Sequence, residues 1–136
     1  MSVAAALLAI KTADTPLNTL VSTRFTPDVA SQGVTLPFVV FTCEARGRYK
    51  SWGVDLPPLS SQTVMMRCYA ATSILRTTLV ARVLAAFCTT TSQTIGGVTI
   101  QGIEIDNQMS GGIEQLGTNT QAYVEILYFK VHVLES

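Results

Sequence analysis

The sequence predicts an α+β fold: an antiparallel four-stranded sheet with helices packed on one face, in the order helix, strand, strand, helix, strand, strand. Three observations carry this expectation. Apolar residues recur at helical spacing between Thr72 and Cys88. They alternate at strand spacing after Pro37. The last stretch, Gln121 to Leu134, is apolar on both parities, as a strand covered on both faces must be. At 136 residues the chain is long enough for one core and short for two, so residues 1–136 are expected to form a single domain.

The elements follow in chain order. Ser2 to Ala13 is rich in Ala and Leu and reads as a short helix, with Asp14 and Pro16 marking its end and the start of a second helical turn. Leu17, Leu20 and Val21 continue an apolar face. Arg24 to Thr35 contains Pro27, Asp28 and Gly33 and reads as a loop. Pro37 opens the first strand, with Val39, Phe41, Cys43 and Ala45 on one face and Thr42, Glu44, Arg46 and Arg48 on the other. Gly47 to Ser60, with Pro57 and Pro58, reads as a long connection.

Gln62 to Ala70 is the second strand. In the helix that follows, Leu75, Leu79, Val83, Ala86 and Phe87 form one stripe, and Thr72 or Ser73 supplies the N-terminal cap. In the third strand Val98 and Ile100 share one parity and Ile103 and Ile105 the other, so a β-bulge is expected at Gly102. The polar stretch Asn107 to Thr120, with Gly111, Gly112 and Gly117, reads as a second long loop before the final strand.

Composition narrows the function classes. Charged residues make up 13% of the chain, about half of what a globular domain ordinarily carries, and the net charge is zero. Such a surface belongs in lipid or against copies and partners. The longest apolar run, Val3 to Ile10, is far short of a spanning helix, and no basic residue precedes it as in a signal peptide. No membrane association is therefore expected. Cys43, Cys68 and Cys88 show no CxxC spacing and read as small buried hydrophobes in a reducing cytoplasm.

Catalytic chemistry finds little foothold. The single histidine, His132, is flanked by Val131 and Val133 and reads as a partly exposed strand residue. Glu104 and Asp106 share a strand face, where acid–base work or cation binding would be possible, but a solvated strand edge explains them as well. The glycines of 111–117 do not match a phosphate loop, since no Lys-Ser or Lys-Thr follows. No catalytic residue, metal ligand or cofactor is expected, and the chain does not read as an enzyme.

Charge is unevenly placed. Arg46 to Arg82 contains six basic residues and one acid, whereas Glu104 to Glu135 contains five acids and one base, Lys130. Unlike patches suit head-to-tail association; pairing within the chain is the other account. The densest basic cluster, Arg46, Arg48 and Lys50, interleaves with Tyr49 and the sole tryptophan, Trp52. These five residues are the candidate contact site for another copy or a partner. Nucleic-acid binding is the weaker account, because the chain has no excess positive charge to offer a phosphate backbone.

A family resemblance rests on the first third of the chain. The apolar helix with Ala5, Leu7 and Leu8 leads into Ala13-Asp14 with Leu17 and Leu20. Arg24-Phe25-x-Pro27, Ala30-x-Gln32 and Leu36-Pro37-Phe38-Val39-Val40-Phe41 follow. Together these resemble the tail-completion (tail terminator) family of long-tailed bacteriophages. Two departures stand out: Phe38 where the family usually has Tyr, and Ser31 before Gln32 where Pro is common.

The resemblance implies a tail-terminator-like fold and a structural virion protein. It would form a homo-oligomeric ring, commonly a hexamer, that caps the tail tube, ends tail polymerisation and provides the head–tail joining surface. Implied partners are other copies, the tail tube protein and a head-completion or neck protein, with genomic DNA passing through the ring without sequence-specific binding. The location would be the head–tail junction of the virion, and the host cytoplasm during assembly. A head-side stopper or adaptor and a small cytoplasmic ligand-binding enzyme are the alternatives.

Overall fold

The computed structural model describes residues 3–22, 24–27, 36–48, 59–88, 93–95, 98–115 and 121–135. Two helices open the chain, α1 (Val3–Ala13) and α2 (Thr15–Val21). Strands β1 (Phe25–Pro27), β2 (Phe38–Arg48) and β3 (Leu59–Ala70) follow, then α3 (Ser73–Cys88). Strands β4 (Gln93–Ile95), β5 (Val98–Gln115) and β6 (Gln121–Glu135) complete it. The strands form one sheet in the order β1-β2-β3-β6-β5-β4.

This corrects the expected architecture. The sheet is mixed rather than purely antiparallel, because β1 runs parallel to β2, pairing Phe25 with Val39 and Pro27 with Phe41. It also has more than four strands. Both additions, β1 and β4, are three-residue edge strands. A strand that short shows no periodicity; it exists because a longer neighbour offers unpaired backbone groups. β1 falls in the stretch expected to be a loop, and its Pro27 is tolerated at a sheet edge.

The second correction concerns β5, which runs to Gln115 through the segment expected to be a loop from Asn107. Gly111 and Gly112 are not turn residues here. They lie at a register shift between Ser110 and Gly112, one of three on β5, and Gly112 takes the left-handed region with φ 76°. A side chain at Gly111 would bring its Cβ to 2.7 Å from Val124 Cγ1, so the strand needs glycine to approach β6. The bulge expected at Gly102 is present as a register shift between Ile100 and Gly102.

Local chemistry sets the helix ends. Asp14 caps α2, its Oδ1 accepting the Leu17 backbone N–H at 3.0 Å, with Pro16 in the first turn. Thr72 caps α3, its Oγ1 accepting the Leu75 N–H at 3.1 Å. At the other end of α2, the buried Lys11 donates from Nζ to Asn18 Oδ1 at 3.0 Å and to the Ser22 carbonyl at 2.8 Å. Desolvation holds its ammonium below the usual lysine range.

The helices share one face of the sheet. Leu79, Val83, Ala86 and Phe87 of the α3 stripe are buried there, together with Leu7, Leu17 and Val21 from α1 and α2. Leu75 is the member of the stripe left out, 45% exposed in the first turn of α3. Aromatic contacts tie the layers together: Phe25 stacks on Phe41 at 4.8 Å and on Phe87 at 5.8 Å, and Phe87 meets Phe129 at 6.0 Å. Each such ring is worth about 1.5–3 kcal/mol in apolar burial.

The two parities of β6 divide between the faces. Leu127, Phe129, Val131 and Val133 enter the helix-side core, while Ala122 and Val124 join Phe38, Val40 and Tyr69 in a smaller cluster on the other face. Phe38 and Tyr69 are stacked there at 4.5 Å. The double apolar pattern of β6 thus has a cause within the chain at one end of that face.

Candidate interaction surface

The sequence singles out Arg46, Arg48, Tyr49, Lys50 and Trp52. Arg46 and Arg48 lie at the end of β2, where the backbone pairs them with Gln62 and Ser60 of β3. Tyr49, Lys50 and Trp52 lie outside the described residues. The basic pair is therefore placed on the sheet, on β2 beyond the Val39–Phe41 stretch that β1 covers.

The other candidates separate rather than converge. Glu104 and Asp106 do not act as a carboxylate pair: Glu104 stands opposite Lys130, while Asp106 falls in the register shift between Ile105 and Asn107. Glu104 Oε1 instead lies 3.1 Å from His132 Nε2 on the neighbouring strand. With 63% of the Glu104 side chain exposed, this is a surface contact of small energetic weight.

Cys68 is fully buried, and burial with the nearby Glu125 carboxylate pushes its thiol up to about 12, so it stays protonated and inert. Cys43 and Cys88 are half-buried against the helix-side core, and burial also raises the Cys88 thiol. Among the described residues no three His, Cys, Asp or Glu side chains are grouped to hold a metal ion. No helix among them is long and apolar enough to cross a membrane.

What the geometry does assemble is a sheet edge. β4 pairs with β5 only at Val98–Ile100. Beyond Ile100, the side of β5 facing away from β6 has no strand partner among the described residues. From Glu104 onward every residue of β5 is exposed, and the strand presents Ile105, Met109 and Ile113 at 40%, 43% and 58% exposure. Among the described residues the remaining large exposed apolar side chains, Ile74 and Leu75, open α3.

The start of α3 reaches the neighbouring strand β6. The Arg76 guanidinium lies 5.8 Å from the centre of the Tyr123 ring, and Tyr123 is the register partner of Ile113. The acidic content of this edge is equally one-sided, since Glu104, Asp106 and Glu114 share β5 with no Lys, Arg or His. Met109 and Ile113 were hidden from sequence reasoning because the bulges break their alternation and the glycines imitate a loop.

A separate cleft of about 460 Å³ lies between α2 and α3, lined by Thr15, Pro16, Thr19, Leu20, Thr78 and Arg82. It offers hydroxyls and one cation but no nucleophile–base pair.

No protein-family model matches the sequence, and no curated protein does. In fold the chain is similar to a chain in a solved structure described as the virion of a native gene transfer agent particle. The two superpose with a TM-score of 0.66 at 15% sequence identity, over 96% of this chain and 92% of that one. The likeness spans nearly all of both chains, so the mixed sheet with helices on one face is the common fold.

Proposed function

We propose that the chain is a structural protein of a phage-like virion and, within that class, a tail terminator. It would form a ring of identical subunits that caps the tail tube, ends tail polymerisation and offers the surface on which the head is joined. The observation that carries this reading is the near full-length fold likeness to a chain of a gene transfer agent virion. The long edge strand with exposed apolar residues and the low charge content support it, since both suit a surface covered by other protein. The motif resemblance in the first third of the chain supports the finer assignment. In this reading the protein has no catalytic role and is located in the virion.

Electron microscopy of the purified chain mixed with tail tubes and, separately, with DNA-filled heads tests the proposal. The expected result is a ring seated on the tube end, with tube lengths held at a fixed value. Binding to heads while tubes stay open would overturn the terminator assignment in favour of a head-side neck protein. Binding to neither would overturn the virion reading itself.

A further inference from the structure

We infer that subunits join by edge-to-edge continuation of the sheet: the β5 edge of one copy docks on the β2 edge of the next. This deepens the ring reading above and rests on it. The two edges lie at opposite ends of one sheet. β1 covers β2 only at Val39–Phe41, so the outer side of β2 from Glu44 to Arg48 has no strand beside it among the described residues. The outer side of β5 is open in the same way beyond Ile100.

Charge decides which edge meets which. β5 carries Glu104, Asp106 and Glu114 and no basic residue, whereas the open part of β2 carries Arg46 and Arg48 against Glu44. Pairing β5 with another β5 would set acid against acid, which disfavours a two-fold dimer through this edge. Pairing β5 with β2 sets acid against base. That contact is heterologous, and a heterologous contact closes into a ring when its rotation permits.

Length agrees with this choice. The register shifts between Ile105 and Asn107 and between Ser110 and Gly112 cut the β5 edge into short unbroken runs such as Asn107–Ser110. The open stretch of β2 is similarly short and is itself interrupted between Cys43 and Arg46. A long partner strand would break its ladder at each bulge, while a short one fits between them. Ile105, Met109 and Ile113 give this docking an apolar component that solvent does not otherwise reward.

The test uses two reversed chains. One carries Glu104→Lys and Asp106→Lys on the β5 edge; the other carries Arg46→Glu and Arg48→Glu on the β2 edge. Light scattering at several concentrations reads the mass of wild type, each variant and their equimolar mixture, and thermal unfolding checks that each variant is folded. The expected result is a wild-type oligomer, at least a tenfold rise in the concentration at which each variant assembles alone, and recovery in the mixture, where every contact again pairs unlike edges.

Variants that assemble alone as wild type does would overturn the surface while leaving the ring standing. A mixture of folded variants that stays apart would also overturn the surface. A wild type that is monomeric at every concentration and on tail tubes would overturn the ring and the surface together.

Discussion

Strands β5 and β6 are antiparallel partners from Val98–Glu135 to Gln115–Gln121, yet they live in different environments. Phe129 of β6 is fully buried, and its register partner Ile105 on β5 is 40% exposed. Val124 is 2% exposed, while Ile113, one residue along the β5 ladder, is 58% exposed. Composition does not separate the pairs, since all four residues are large and apolar. Position in the sheet does: β6 lies between β3 and β5, while among the described residues β5 has a strand on its outer side only at β4. The same residue type therefore stabilises the fold on one strand and is left available for association on the other.

The largest effect that would sharpen this contrast is Phe129→Ala. It removes a ring packed against Phe87 and leaves a cavity in the helix-side core. Chemical denaturation should show a loss of about 3–5 kcal/mol. The partner substitution Ile105→Ala should cost under about 1 kcal/mol, because much of that side chain is already in water. Equal losses at the two positions would break the comparison.

Dryness at the centre of the sheet is tested by pH. Cys68 is fully buried and its thiol is pushed from 9.0 to about 12, so the unfolded chain loses this proton before the folded one does. Stability linked to this group is complete below about pH 9 and is lost as pH rises from there toward 12. At pH 10.5 the loss should approach about 2 kcal/mol. Denaturation curves at pH 8 and pH 10.5 for wild type and Cys68→Ala check this, the variant losing less between the two. Identical pH dependence would mean that water reaches the thiol.

One position on β5 should behave like the interior. Gly111→Ala would force its Cβ against the stiff, β-branched Val124, whose Cγ1 would be 2.7 Å away. A loss of about 1–3 kcal/mol is expected, partly restored when Val124→Ala makes room. Additive losses in the double variant would show that the clash is not the cause. The smallest effect belongs to Met109→Lys, which should leave monomer stability within about 0.5 kcal/mol while weakening self-association in light scattering. A change in unfolding midpoint without a change in mass would place Met109 in the core instead.

How much of this was legible in the sequence follows the same divide. The stripe Leu79, Val83, Ala86 and Phe87 is readable because a helix of 16 residues repeats its pattern enough times to be seen. Asp14 is readable as a helix boundary because capping is chemistry between neighbours in sequence. β1 and β4 were not readable, as three residues show no period and each owes its place to the longer strand it pairs with. The mixed, six-stranded character of the sheet was lost with them.

The candidate contact site divides likewise. The placement of basic residues around Arg46 and Arg48 and of acids from Glu104 onward is a property of the sequence. That Arg46 and Arg48 stand on a strand at one end of the sheet, and the acids on a strand at the other, is a property of the strand order.

The sequence by itself determined where the helices and the strands β2, β3 and β6 lie, where β5 starts but not how far it runs, which faces of these elements are apolar, and how sparse and how segregated the charge is. These are local or additive quantities, set by side-chain chemistry and by the periods 3.6 and 2. Tertiary structure alone decided that β1 runs parallel, that Gly111 and Gly112 serve a bulge rather than a loop, and that among the described residues most of the outer side of β5 has no strand beside it while β6 is paired on both sides. The reason is physical: a backbone N–H or C=O finds its sheet partner in space, and which strand ends beside which is fixed only when the whole core closes.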